Sequence, residues 1–110
     1  MFPQLAAVVA AMASFIGHHR PPSMSYAECS WYDDGGQTAS GWHATYGVAN
    51  RTLRFGTRVL FRYHGRQITA TVDDRGPFIY SRLFDLDQNV AQALGFAGVD
   101  TVAYRVLGQN

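Results

Sequence analysis

Two adjacent aspartates, Asp73 and Asp74, are the residues whose type and spacing best suit acid–base chemistry in this sequence. They follow residues 66–72, in which side chains alternate as they do in a half-buried strand. Two charged neighbouring carboxylates repel each other, so the pKa of one tends to rise. A partly protonated aspartate can act as a general acid. The alternative is structural, because residues 75–77 (Arg-Gly-Pro) predict a turn and aspartates often stabilise turns.

Several aromatic residues lie near this motif in the sequence and offer flat faces on which the rings of a ligand can stack. They are Trp31, Tyr32, Trp42, Tyr46, Phe78 and Tyr80. We expect Tyr32, Trp42 and Tyr80 to contact a substrate. Trp31 and Phe78 are instead predicted to lie in the core, where large aromatic side chains are usually buried.

Short alternating segments separated by turn residues predict a β domain with one small helix. The predicted strands are residues 27–32, 45–49, 57–63, 66–72 and 101–107. His64-Gly65 predicts a tight hairpin turn between the third and fourth of these strands. Asp87 can cap a helix over residues 88–94, and Gly95 can end it. This succession is typical of a small closed barrel.

Length, charge and cysteine content limit the class of protein. The chain has 110 residues, which suits one domain with a single core. Its formal net charge of +1 provides no basic field to hold nucleic acid, so no nucleic-acid partner is expected. The single cysteine, Cys29, excludes an internal disulfide and a zinc site built on cysteines. We expect Cys29 to be a small core residue; the alternative is a lipid-modified cysteine, although residues 25–28 match a lipoprotein motif poorly.

Residues 5–16 form an apolar segment near the start of the chain. The segment is too short for a true transmembrane span, which needs about 20 residues. It can be the core of a secretory signal, because residues 11–13 (Ala-Met-Ala) imitate a cleavage site. However, no Lys or Arg precedes it, and Arg20 lies on the wrong side for a signal. Because a helix that is apolar all round is normally buried, we expect residues 5–16 to pack against other protein subunits.

A proline linker separates this segment from the rest of the chain. The pair Pro21-Pro22 cannot continue a helix. We therefore divide the chain into an N-terminal apolar helix with its linker, residues 1–22, and a second domain, residues 23–110. The pair His18-His19 lies in the linker without a third ligand nearby, and such pairs are more often solvated than bound to metal. No metal site is predicted.

Six short segments carry a resemblance that extends over about residues 28–107. They are residues 30–32 (SWY), 38–41 (TASG), 52–59 (TLRFGTRV), 73–78 (DDRGPF), 82–86 (RLFDL) and 91–95 (AQALG). In this order they resemble the RlpA-like double-psi β-barrel family, whose members are domains of bacterial cell-wall proteins. Any one segment would be weak evidence, but their shared order is specific.

The resemblance implies an all-β fold: a six-stranded double-psi β-barrel with one short helix, preceded here by the N-terminal apolar helix. It also implies a groove for a polysaccharide. Characterised RlpA-type enzymes are lytic transglycosylases that act on peptidoglycan strands stripped of their peptides. The family's acid is the Asp before Arg-Gly-Pro-Phe, which is Asp74 here. Two family positions differ, since Trp42 stands where the family has Glu and Asn50 where it has His.

A lytic transglycosylase needs one carboxyl group that first protonates the glycosidic oxygen and then accepts a proton from the sugar's own 6-hydroxyl. Asp74 can fill this role without a cofactor, with Asp73 raising its pKa. Besides the three aromatic residues, Arg75 and Asn50 are candidate substrate contacts. Arg75 can instead pair with a neighbouring aspartate. Asp85 is a further candidate, although an aspartate there can equally fix the loop by hydrogen bonding.

Two functions follow from these expectations. The first is a peptidoglycan lytic transglycosylase that uses Asp74. The second is a barrel without catalysis that binds peptidoglycan or another polysaccharide, or that builds an assembly such as a bacteriophage tail; the tail rests on analogy alone. Either function predicts an extracytoplasmic or virion-associated protein.

Overall fold

The computed structural model describes residues 23–33 and 35–109, and this part of the chain contains six strands and one helix. The strands are β1 (Ser25–Tyr32), β2 (Gly47–Ala49), β3 (Thr57–Tyr63), β4 (Arg66–Asp74), β5 (Phe84–Asp87) and β6 (Asp100–Gln109), and the helix is α1 (Gln88–Leu94). The helix predicted over residues 5–16, the proline linker and the histidine pair lie outside the described residues. Within the described part, no helix is long and apolar enough to cross a membrane.

The six strands close into a barrel in the order β1-β5-β2-β4-β3-β6, and β6 pairs with β1. Strand β1 runs parallel to β5, and β2 runs parallel to β4. The other neighbouring strands are antiparallel. In this order another strand separates β1 from β2 and β4 from β5, so the loop that joins each pair must cross over that strand at an end of the barrel. The predicted all-β fold with a six-stranded barrel and one short helix is confirmed.

Apolar side chains from every strand fill the barrel. The fully buried ones are Cys29, Val48, Val59, Phe61, Ala70, Val72, Phe84, Leu86 and Val102. Phe61 and Phe84 pack edge to face with their ring centres 5.0 Å apart. Cys29 is fully buried, which confirms it as a core residue, and this burial raises the pKa of its thiol to about 12. The same expectation was wrong for Trp31 and Phe78, whose side chains are 42% and 72% exposed.

Local signals in the sequence define the hairpin and the helix. His64 and Gly65 have φ values of 48° and 82°, so both central residues of the turn are in the left-handed region that a two-residue hairpin prefers. The Asp87 side chain accepts a hydrogen bond from the Val90 N–H and caps α1. Gly95, with φ 68°, ends the helix. These predicted elements are confirmed.

Strand β5 is the element that the sequence does not predict. It has four residues, two of which are aspartates, so its alternation is too short to stand out. Its partners are distant in the chain: Asp85 lies opposite Ser30 of β1, and Leu86 lies opposite Val48 of β2. The strand therefore depends on barrel closure rather than on local preference.

Candidate functional site

Asp74, the last residue of β4, has both carboxylate oxygens engaged by hydrogen-bond donors. Its Oδ1 accepts from the backbone N–H of Ala39 at 2.8 Å and from its neighbour Arg75 at 2.9 Å. Its Oδ2 accepts from the Tyr32 hydroxyl at 2.8 Å. The side chain is half-buried at the end of the strand. Three segments of the chain thus fix the orientation of a carboxylate that solvent can still reach.

Tyr32 reaches Asp74 because it is the last residue of β1, directly before the loop that crosses the barrel end. The sequence predicts Tyr32 as a substrate contact. The structure instead places its hydroxyl on Asp74, while the ring is half-buried. This bond orients the carboxylate, and the contact of Tyr32 with a substrate stays a prediction. Sequence reasoning had no signal for the bond between Tyr32 and Asp74, since the two residues lie 42 positions apart.

Asp73 differs from its neighbour because it is only 1% exposed. Its Oδ2 accepts a hydrogen bond of 2.8 Å from the Ala44 N–H, while Oδ1 has no hydrogen-bond partner among the described residues. Burial raises the pKa of Asp73 from 3.8 to about 6, and the charges of Asp87 and Asp74 add smaller contributions in the same direction. The raised pKa that adjacent carboxylates predict thus falls on Asp73, with desolvation as its main cause.

The backbone makes room for this buried carboxylate at Gly47. A Cβ atom at that position would lie 2.5 Å from Oδ2 of Asp73. The Gly47 N–H donates to Asp87, the cap of α1. Gly47 therefore lets β2 pass between two carboxylates, and any side chain there would displace Asp73.

The two aspartates also hold the loop of residues 38–44, here called the Trp42 loop. Besides the bonds from Ala39 and Ala44, the Ser40 N–H donates to the Asp73 carbonyl at 3.2 Å. The carbonyl of Trp42 accepts hydrogen bonds from two hydroxyls of the same loop. This leaves the Trp42 indole 44% exposed beside a surface depression lined by residues 36–38 and 41–43. The loop that binds Asp74 through Ala39 thus carries an exposed aromatic side chain.

Asn50 and Arg75, both predicted as substrate contacts, have their polar atoms committed to the backbone. Asn50 is 3% exposed, its amide donates to the Leu83 carbonyl, and its oxygen accepts from two N–H groups of the following turn. The Arg75 guanidinium donates to the carbonyls of Asn50 and Leu53 and lies 3.9 Å from the centre of the Phe55 ring. Their burial and bonding give no support to a substrate role, and the alternative of an Arg75–aspartate pair is not seen among the described contacts.

Sequence reasoning missed Arg51, which organises the loop between β4 and β5. Its guanidinium donates at 2.7 Å to the carbonyls of Pro77 and Arg82 and lies 5.0 Å from the centre of the Tyr80 ring. Tyr80, a predicted substrate contact, is 75% exposed on this loop beside the exposed Phe78. The bonds go to backbone carbonyls, which carry no residue-type signal, so the sequence offers no way to find Arg51.

Asp85 lies in the middle of β5 and is half-buried. It accepts a hydrogen bond of 3.0 Å from the Ser30 hydroxyl, and burial raises its pKa. The Ser30 hydrogen bond and the charge of Arg82 act in the opposite direction, and the negative charge of Asp74 adds a smaller further rise to the pKa of Asp85. The bond to Ser30 across β1 and β5 agrees with the structural alternative for Asp85.

The structure therefore brings Asp73, Asp74, Tyr32 and Trp42 together, and it assigns Asn50 and Arg75 to the surrounding framework. No group of three or more metal-ligating side chains is present in the described part of the chain. The assembled chemistry is one oriented, half-buried carboxylate, one buried carboxylate that binds the neighbouring loop, and an exposed indole on that loop.

A closed barrel of six strands with two parallel pairs defines a double-psi β-barrel, and solved structures agree. The expansin of Clavibacter michiganensis matches with a TM-score of 0.66 and 18% identity, covering 77% of this chain and 50% of the expansin. A point variant of that expansin in complex with cellohexaose gives a TM-score of 0.63 at 16% identity, with the same coverage. The designed double-psi barrel protein mkDPBB_sym2 gives 0.56 at 14% identity, covering 77% of this chain and 100% of the designed one.

The family is narrower than the fold. Residues 25–106 match the family described as Lytic transglycolase, and the chain belongs to that family. The protein named probable endolytic peptidoglycan transglycosylase RlpA of Nostoc sp. is 42% identical over 66 residues, covering 56% of this chain. The protein of the same name from Synechocystis sp. is 36% identical over 88 residues, covering 71% of this chain. This chain spans 18% and 27% of the lengths of these two relatives.

Proposed function

We propose that this domain binds the glycan strands of peptidoglycan and cleaves them as a lytic transglycosylase with Asp74 as its acid and base. The observation that carries the proposal is the Asp74 carboxylate, which three donors orient at the end of β4, one of them from the loop that carries the exposed indole of Trp42. Membership of the Lytic transglycolase family supports it, as do two relatives named as peptidoglycan transglycosylases. An extracytoplasmic location follows from this substrate.

In the proposed reaction Asp74 begins as the carboxylic acid and gives its proton to the glycosidic oxygen as the bond from that oxygen to C1 breaks. The departing strand leaves as an alcohol. The Asp74 carboxylate then takes the proton from the 6-hydroxyl of the remaining sugar, and that oxygen bonds to C1 to close an anhydro ring. Asp74 regains its proton and no water is consumed. A second carboxylate to activate water, as in an ordinary hydrolase, is therefore unnecessary.

The neighbouring residues support this chemistry without taking part in bond breaking. The Tyr32 hydroxyl holds Oδ2 of Asp74, which fixes the carboxylate relative to the barrel. The Trp42 indole offers a stacking face for a sugar ring. Asp73 is buried, so in this proposal it anchors the Trp42 loop through Ala44 and does not contact the glycan.

A second candidate function is glycan binding without cleavage, either as a binding domain or as a subunit of a larger assembly that residues 5–16 help to form. The specific observation in its favour concerns Trp42 and Asn50. The resemblance places them where the family has Glu and His, and neither can exchange a proton: the first is an indole and the second a buried amide bonded to the backbone. In this case the barrel binds glycan strands but does not cleave them.

One experiment separates the two candidates. Purified protein is incubated with peptidoglycan strands stripped of their peptides, and the soluble fraction is analysed by mass spectrometry for anhydro-sugar ends. Anhydro products support the enzyme. Co-sedimentation with the strands without products supports the binding domain. Protein that neither cuts nor sediments contradicts both and leaves only a structural role.

A further inference from the structure

Trp31 lies on the outer side of β1, away from the core and unlike its neighbour Tyr32, which turns toward Asp74. The Trp31 side chain is 42% exposed. Its indole N–H makes no hydrogen bond with any described residue. An exposed indole on a rigid strand offers a broad apolar face with an unused donor at its edge.

Two glutamines of α1 lie beside this ring. Gln88 and Gln92 are one helical turn apart, so their side chains share one face of the helix. Both are exposed, and neither side-chain amide has a hydrogen-bond partner among the described residues. With Trp31 they line a shallow depression of about 230 Å³, whose floor is Ala91 and Phe96.

The lining of this depression selects a class of ligand. It contains no ionisable side chain, so it offers no charge to bind an ionic ligand. A pyranose ring has an apolar face of C–H groups and an equatorial belt of hydroxyls. The apolar face can stack on the indole, while amides of the glutamine type can donate to and accept from the hydroxyls.

Shared lining residues connect this depression to the Trp42 loop. The depression beside Trp42 shares His43 with a second one at the start of α1, and that second depression shares Gln88 with the one at Trp31. Three adjoining depressions thus form a path over the surface from Trp42 to Trp31. A polymer bound at the first indole has a surface to follow to the second.

We propose that Trp31, Gln88 and Gln92 form a distal subsite for a sugar ring of the same glycan strand that occupies the Trp42 loop. The inference rests on the proposed glycan binding and extends it to a second contact region. It makes affinity depend on strand length: a strand long enough to contact both indoles gains the second contact as an intramolecular event, which a disaccharide bound at one of them does not.

The test uses strands of two lengths, a peptide-free disaccharide and long peptide-free strands, with affinities measured by calorimetry. We expect wild-type protein to bind long strands more tightly than the disaccharide, and Trp31→Ala to weaken long-strand binding about tenfold, as truncated aromatic anchors often do. The double variant Gln88→Ala/Gln92→Ala should reduce the preference for long strands over the disaccharide. Both residues are exposed, so their replacement leaves the core packing unchanged. The matched control is Tyr26→Ala, which removes a 74% exposed ring from the same strand.

The chain's two tryptophans provide a direct readout, because each contributes one indole N–H signal to an NMR spectrum. Trp42→Phe assigns the two signals. Binding of long strands should shift both indole N–H signals. Wild-type protein that binds strands while Trp31→Ala binds them equally well, or while the Trp31 signal stays unchanged, overturns the distal subsite alone. Wild-type protein that binds no glycan overturns the proposed function and the subsite together. Self-association that disappears in Trp31→Ala, without an effect on glycan affinity, also overturns the subsite.

Discussion

Two tyrosine–aspartate pairs in this barrel have nearly the same local chemistry. The hydroxyl of Tyr32 lies 2.8 Å from Asp74, and that of Tyr63 lies 2.6 Å from Asp100. Each aspartate also accepts a backbone N–H from the residue that follows it. The pair itself therefore does not mark a functional site.

Their surroundings differ. Tyr63 is packed between the stacked ring of His64 and Phe96, and the bond from Tyr63 lowers the pKa of Asp100. That pair closes the start of β6 onto the end of β3. Asp74 instead binds a third donor from the Trp42 loop, so its carboxylate is joined to a segment that presents an exposed indole. The difference indicates that a site here requires both an oriented carboxylate and a surface for the ligand.

The largest expected effect is a loss of cutting activity when Asp74, but not Asp100, is replaced by asparagine. Asp74→Asn keeps the shape of the side chain but cannot cycle a proton, so release of anhydro products should fall by about 100-fold or more. Asp100→Asn, the matched control, should leave cutting unchanged, although both variants weaken a tyrosine contact. Mass spectrometry of digested strands measures both. Full activity in Asp74→Asn would show that the acid has been misassigned.

The next largest effect is expected for Asp73, whose ionisation should change the free energy of unfolding. Because its folded-state pKa is raised from 3.8 to about 6, its ionisation destabilises the folded state by about 3 kcal/mol above pH 6, and this penalty is absent below pH 4. This group's contribution to stability therefore falls as pH rises between these values. Asp73→Asn should be more stable than wild type at pH 7, and the difference should vanish near pH 4. Urea unfolding across this range measures it; a constant difference would contradict the assignment.

The next prediction concerns the contribution of Trp42 to glycan affinity. Trp42→Ala should weaken glycan binding by about 1–3 kcal/mol if its ring stacks on a sugar. Tyr26→Ala is the control, since it also removes an exposed ring. Calorimetry with peptide-free strands gives both affinities. Equal losses in the two variants would mean that any exposed aromatic contributes and that the Trp42 loop has no special role.

The smallest effect should come from the tyrosines. Tyr32→Phe and Tyr63→Phe each remove one hydroxyl and should each lower the free energy of unfolding by about 1 kcal/mol. Only Tyr32→Phe should also lower the rate of cutting, by about fivefold, with glycan affinity unchanged. A comparison of rate and affinity in the two variants tests this, and an equal rate loss in both would reduce Tyr32 to a structural residue.

The sequence predicts the parts of this molecule that have local causes. His64-Gly65 has the residue types of a two-residue turn, and Asp87 and Gly95 are good helix caps, so these elements were predicted where they occur. Strand β5 was not predicted, because four residues with two aspartates form a strand only when β1 and β2 lie on either side.

The candidate site, like the fold, was predicted from the sequence only in part. Asp74 was found through its motif, but its partners were not, because two of the donors are backbone N–H groups and the third is a tyrosine from another strand. The exposure of Trp31 was missed because β1 breaks its own alternation, with Cys29 and Ser30 both buried in succession. Periodicity alone assigns faces correctly only where the strand stays regular.

The burial of Cys29 has a practical consequence for studying this barrel. It is the only thiol in the chain, it is fully buried, and its high pKa keeps it protonated at neutral pH. The thiolate is the nucleophile that attacks a thiol reagent, so labelling must wait until β1 separates from its neighbours. The rate of modification by a thiol reagent in native buffer therefore reports how often the closed barrel opens, without any introduced probe.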